Sequence, residues 1–134
     1  MIGIDTNVLV RYVVRDDEPQ TTRADEVFDG LTSDERGFIS LITLVETWWV
    51  LGRAYSFRTE RRREFVEALL SSEELMIDQG DTVRRALPRV RSGADLADAL
   101  ITQIATDNGC HTTVTFDRRA AQRAGMHLLL PAGR

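Results

Sequence analysis

Short apolar runs recur along this chain, and most lead into longer stretches whose apolar residues fall at helical spacing. Ile2-Gly3-Ile4-Asp5 is too brief for a helix and suits a buried strand. Thr6 to Val14 sets Val8, Leu9, Tyr12 and Val13 at helical spacing. Asp17-Glu18-Pro19 opens a second helix, favoured by the macrodipole and the fixed proline φ, that runs to about Leu31. The alternation continues with strand Gly37–Ser40, helices Leu41–Tyr55 and Thr59–Leu70, and strand Leu75–Ile77. A helix over Asp81–Val90 is kinked or ended early by Pro88. Ala94–Asp107 is helical until Asn108-Gly109, Thr112–Phe116 is β-rich, Arg118–Ala124 is a short helix, and His127–Leu130 is a last strand. Strands separated by helices predict an α/β fold with a central, mostly parallel sheet of about four to five strands, flanked by helices. In such sheets the first strand is usually central, and ligands bind beyond the carboxyl ends of the strands.

A length of 134 residues fits one compact domain spanning 1–134. No apolar span long enough for a bilayer and no leader-like segment is read, so a cytoplasmic location without membrane attachment is expected. The lone Cys110 excludes an internal disulfide framework and a thiolate zinc cluster, and His111 and His127 are isolated. Seventeen cations against 21 acids leave a net charge of −4, which argues against bulk electrostatic binding of nucleic acid. Every cation is an Arg, so chemistry that needs a Lys ammonium is excluded. The charges are also unevenly placed. Asp16 to Glu35 holds eight acids and one Arg, whereas Arg53 to Arg63 holds five Arg and one Glu. The acidic stretch suits either a solvated helix or a basic partner.

Four carboxylates carry the chemistry. Asp5 ends the first strand at the turn into a helix, a place for a helix cap or an active-site acid. Glu46 is the only ionisable residue between Phe38 and Gly52, with Ile42, Thr43, Trp49 and Val50 one turn away. That pattern predicts burial, and a buried carboxylate requires an Arg partner or a cation. Asp98 lies one turn inside its helix among Ala94, Ala97 and Ile101, while Asp95 suits the helix start. Asp117 repeats the situation of Asp5, with Thr115 two residues before it. If these acids converge, each like-charge pair at ~4 Å costs about 4 kcal/mol at an effective dielectric near 20. A hard divalent cation, Mg²⁺ or Mn²⁺, resolves that repulsion with oxygen ligands alone.

Ile4-Asp5-Thr6-Asn7-Val8-Leu9-Val10-Arg11, Leu44-Val45-Glu46, Gly93-Ala94-Asp95-Leu96-Ala97-Asp98-Ala99-Leu100-Ile101 and Thr115-Phe116-Asp117 stand in that order. With these motifs the whole chain resembles the PIN-domain ribonucleases, in particular the VapC-type toxins of bacterial type II toxin–antitoxin pairs. The resemblance implies a hydrolase: a metal-dependent endoribonuclease in which Asp5, Glu46, Asp98 and Asp117 hold one or two Mg²⁺. It implies supporting roles for Thr6, Asn7, Asp95 and Thr115. It also implies cleavage of RNA by metal-activated water, a homodimer, and neutralisation by a cognate antitoxin. Arg11, Arg61, Arg62 and Arg85 are the expected contacts to RNA phosphates, although a solvated face also explains the Arg61–Arg63 run. Trp48-Trp49 suits a dimer seam, an antitoxin groove or, for one of the two, the core.

Two other readings stay open. A Mg²⁺-dependent phosphatase of the haloacid-dehalogenase type also has Asp at the end of its first strand. It wants a second acid where this chain has Asn7, and usually a Lys. A non-catalytic PIN-like module for RNA or protein binding is the other, and the presence of all four acids counts against it.

Overall fold

The structure is a computed structural model that describes residues 1–133. It is an α/β chain in two compact units, one spanning Met1–Gly80 and the other running from Asp81 onward.

The first unit runs β1 (Ile2–Gly3), α1 (Thr6–Val14), α2 (Glu18–Asp29), β2 (Gly37–Ile39), α3 (Leu41–Arg53), α4 (Thr59–Ser71) and β3 (Leu75–Ile77). The strands form a parallel ladder in the order β1-β2-β3, with Ile2 opposite Gly37, and Phe38 opposite Met76. The middle strand is therefore β2, whereas the sequence pattern favours β1. Gly37 has a steric reason to lack a side chain: a Cβ there would meet Leu31, Leu75 and Ile4 methyl groups at 3.0–3.1 Å. Ile4, Leu9, Ile39, Leu44, Leu51 and Val66 are buried, as their apolar periodicity requires.

Helix starts follow local capping chemistry. Asp17 accepts from the Gln20 N–H and Ser40 from the Thr43 N–H, which satisfies donors that a first turn leaves free. Arg15 ends α1 in the left-handed conformation.

The second unit holds α5 (Gly80–Arg91, its first residue belonging to the preceding unit), α6 (Leu96–Asp107), β4 (Val114–Thr115), α7 (Arg118–Ala124) and β5 (His127–Leu128). Strands β4 and β5 pair in parallel as a separate two-stranded ladder. The described strands thus fall into ladders of three and two, and β1, β4 and β5 each span only two residues. Pro88 lies inside α5, which continues to Arg91. Its carbonyl still accepts from the Ser92 N–H, and the turn closes at Gly93, whose φ of 108° is open to glycine. Among the described residues no helix is long and apolar enough to cross a membrane.

Candidate active site

In the first unit the predicted acids stand at the carboxyl side of the ladder and on the adjoining helix. Asp5 occupies the cap position of α1, but its carboxylate makes no capping hydrogen bond. The cap reading of Asp5 therefore fails, and its oxygens stay available to a ligand. Thr6 is buried and donates its hydroxyl to Oε1 of Glu46 on α3. Asn7, next along α1, is exposed.

Glu46 itself is exposed, which corrects the burial expected from its apolar neighbours. Helix α3 carries two apolar stripes. Leu44, Trp48 and Leu51 point inward, while Ile42 and Trp49 are 81% and 59% exposed on the same face as Glu46. Leu41, Ile42, Val45, Glu46 and Trp49 line an open depression of ≈ 560 Å³. No Arg neutralises Glu46 through an ion pair within 4.0 Å among the described residues; its partner is the Thr6 hydroxyl.

Asp78 follows β3 as Asp5 follows β1, and none of the four motifs includes it. It is occupied structurally, accepting from the Leu41 N–H at the start of α3 at 3.2 Å.

In the second unit Asp95 caps α6 by accepting from the Ala97 N–H, which places Asp98 at the third helical position. Asp117 caps α7 through Oδ1, which accepts from the Ala120 N–H, and Thr115 Oγ1 accepts from the Asp117 N–H. Capping engages one Asp117 oxygen and leaves the other. Asp98 is half-buried, and burial first, then the charges of Asp95 and Asp117, raise its carboxyl above the ordinary aspartate value. Asp98 thus lies within electrostatic reach of both Asp95 and Asp117. Among the described residues, however, no group of three or more His, Cys, Asp or Glu is gathered closely enough to hold a metal ion. Within each unit the candidate donors are carboxylate and hydroxyl oxygens, Asp5 uncapped in the first and Asp98 under repulsion in the second. In donor chemistry each set suits a hard divalent cation.

The predicted phosphate contacts divide by what already holds them. Arg11 donates to Asp16, Gln20 and Tyr55, so its guanidinium is engaged within the first unit. Arg62 lies 4.4 Å over the Trp48 ring and donates to the Trp48 carbonyl. Gly52 gives it room: a Cβ there would stand 2.6 Å from Arg62 Nη1. Arg62 is a packing strut. Arg61 stacks on Phe57 yet stays exposed, and Arg85 pairs with Asp107 at 2.7 Å. Exposed Arg118 and Arg119, which directly follow Asp117, fall outside the set predicted from sequence, although their adjacency to an acid motif is a visible signal. Trp48 belongs to the core, 4% exposed, and Trp49 to the surface beneath Arg53. Several acids of the Asp16–Glu35 stretch are paired internally, among them Asp16 with Arg11, Asp25 with Arg15 and Glu26 with Arg23.

Parallel ladders with carboxylates at the starts of the following helices define an α/β protein with acids where such folds place their ligands. Residues 2–126 match the PIN domain family model, and the chain belongs to that family. PIN domains are generally nuclease folds, and divalent ions such as Mg²⁺ are their usual metals. No curated protein matches the chain.

Proposed function

We propose that this protein is a Mg²⁺-dependent endoribonuclease, the toxin of a toxin–antitoxin pair, in which residues 1–134 act as one catalytic PIN domain. Asp5, Glu46, Asp98 and Asp117 are the metal-holding set, with Thr6, Asn7, Asp95 and Thr115 in support. The observation that carries the reading is the match of residues 2–126 to the PIN domain family, a span within which all four acids fall. Asp98, half-buried among like charges, is consistent with it.

The chain's own groups have assignable tasks. Thr6 fixes the Glu46 carboxylate by donating to one oxygen, leaving the second to a ligand. Asp95 and Thr115 hold the starts of α6 and α7, and so set the directions of Asp98 and Asp117. Mg²⁺ held by these acids would supply charge neutralisation and activation of a water nucleophile. Arg side chains around the acids then offset the repulsion between RNA and a carboxylate cluster.

The antitoxin, a homodimeric state and a cytoplasmic location are part of the same proposal. An apolar groove of ≈ 430 Å³ between α1 and α2, bordered by Arg11 and Arg23, supports docking of a partner segment. One observation favours a second reading, a non-catalytic PIN-like binding module: the absence, among the described residues, of a three-carboxylate group close enough for a metal.

Cleavage of single-stranded RNA by the purified chain separates the two. The nuclease reading predicts cutting in Mg²⁺ or Mn²⁺ that stops in EDTA and is lost in Asp5→Asn and Asp98→Asn. RNA binding without cutting in any divalent metal selects the binding module.

A further inference from the structure

We propose that the cleft between α5, α6 and α7 binds the phosphodiester backbone of single-stranded RNA, at the end of α7 opposite Asp117. The inference rests on the RNA-cleaving reading above and adds a substrate subsite to it.

The cleft belongs wholly to the second unit and is an open depression of ≈ 770 Å³. Arg85, Arg89 and Arg123 line it with Gln103 and Gln122, and no carboxylate or aromatic side chain does. Two of its three guanidinium groups, those of Arg85 and Arg89, are held by hydrogen bonds. Gln103, only 8% exposed, accepts from Arg89 Nη1 at 2.7 Å and donates to Asp107 Oδ1 at 2.9 Å. The other oxygen of Asp107 accepts from Arg85 Nη2 at 2.7 Å. One carboxylate thus orients two guanidinium groups, directly or through Gln103, and leaves the trio with a surplus of positive charge. Arg123 reaches across Gly93, where a Cβ would stand 3.3 Å from its Cδ.

Planar guanidinium forks fixed in this way match phosphate oxygens. Without an aromatic platform the cleft reads backbone and not bases. Along α7, Asp117 stands at the start and Arg123 near the end, about 9 Å apart along the axis at 1.5 Å per residue. A strand with one phosphate at the acids therefore has others that reach toward the cleft.

The test is fluorescence anisotropy of a labelled single-stranded RNA with the full chain, in EDTA to prevent cutting, across a range of salt. The Arg89→Gln/Arg123→Gln double variant is expected to weaken binding about tenfold at low salt. Its salt slope should flatten by about 0.7 for each phosphate that the cleft no longer engages. Arg15→Gln, at the end of α1, should change neither. In parallel, inorganic pyrophosphate should shift the Arg89 and Arg123 Nε–H NMR signals of the wild-type chain, a readout independent of how the variants fold. RNA bound through the cleft but uncut in Mg²⁺ supports the subsite and removes the nuclease reading. Pyrophosphate shifts without RNA binding overturn RNA as the occupant. Unchanged affinity and slope in the double variant, with no pyrophosphate shift, overturn the subsite altogether.

Discussion

The Thr6 hydroxyl donates to the Glu46 carboxylate across 40 residues of sequence, joining the first turn of α1 to the exposed face of α3. A buried threonine is thereby committed to orienting an exposed acid. Thr6→Val keeps the shape of the side chain and removes the donor. It should lower RNA cleavage by about 10- to 100-fold, the usual cost of removing an outer partner of a metal ligand. Thr6→Ser should restore most of it. The check is cleavage rate against Mg²⁺ concentration; Thr6→Val with a wild-type rate and Mg²⁺ midpoint contradicts the assignment.

Asp98 should show opposed effects on stability and activity. Its folded carboxyl lies above the unfolded value of 3.8, so the folded state binds the proton more tightly. The charged form is therefore penalised, and stability falls as pH rises from the unfolded value through the raised one. Asp98→Asn removes the penalty. Stability near neutral pH, read from denaturant midpoints, should increase by less than about 1 kcal/mol, since solvent screens the group, while cleavage is abolished. A destabilised Asp98→Asn would show the carboxylate to be a favourable structural group.

Gly52→Ala should behave as a packing mutation. The new methyl group displaces Arg62 from Trp48, breaking both the stacking and the hydrogen bond to the Trp48 carbonyl. A cost of about 1–2 kcal/mol in urea unfolding is expected, with RNA affinity unchanged. Retained stability with weakened RNA binding would return Arg62 to the substrate-binding residues.

Asp107 sets an acid-dependent contribution of the opposite sign. Hydrogen bonds from Arg85 and Gln103 hold its carboxyl below the unfolded value of 3.8. Stability from this group is complete above that value and is lost as pH falls through the depressed folded one. Asp107→Asn should therefore differ from wild type in denaturant midpoint near neutral pH and converge with it once pH has fallen below the depressed folded value. A difference that persists undiminished in acid contradicts the ionic origin.

Much of the architecture was legible because local chemistry and apolar period agreed. Asp17, Asp95 and Asp117 each stand just before a helix and cap it, and Ser40, read as the end of a strand, caps α3 as well. The short apolar runs at Ile2, Gly37 and Leu75 are the strands of the parallel ladder. Pro88 misled because its missing N–H costs one helical bond, and the turn beyond it still closes at Gly93. Glu46 misled for a different reason: an apolar sequence around an acid does not distinguish a helix buried all round from one with a second, exposed stripe. The Arg roles were hidden because their partners are remote in sequence, Gln103 lying 14 residues from Arg89 and Asp107 lying 22 from Arg85. Spacing alone does not reveal which guanidinium groups are already held.

The most direct measurement is a Mn²⁺ titration followed by electron paramagnetic resonance, on the wild-type chain and on Asp5→Asn, Glu46→Gln, Asp98→Asn and Asp117→Asn. The account predicts saturable Mn²⁺ binding that Mg²⁺ displaces and that every one of these substitutions weakens. Binding left intact by all of them, or a wild-type chain that takes up no Mn²⁺ in the presence of RNA, would contradict it.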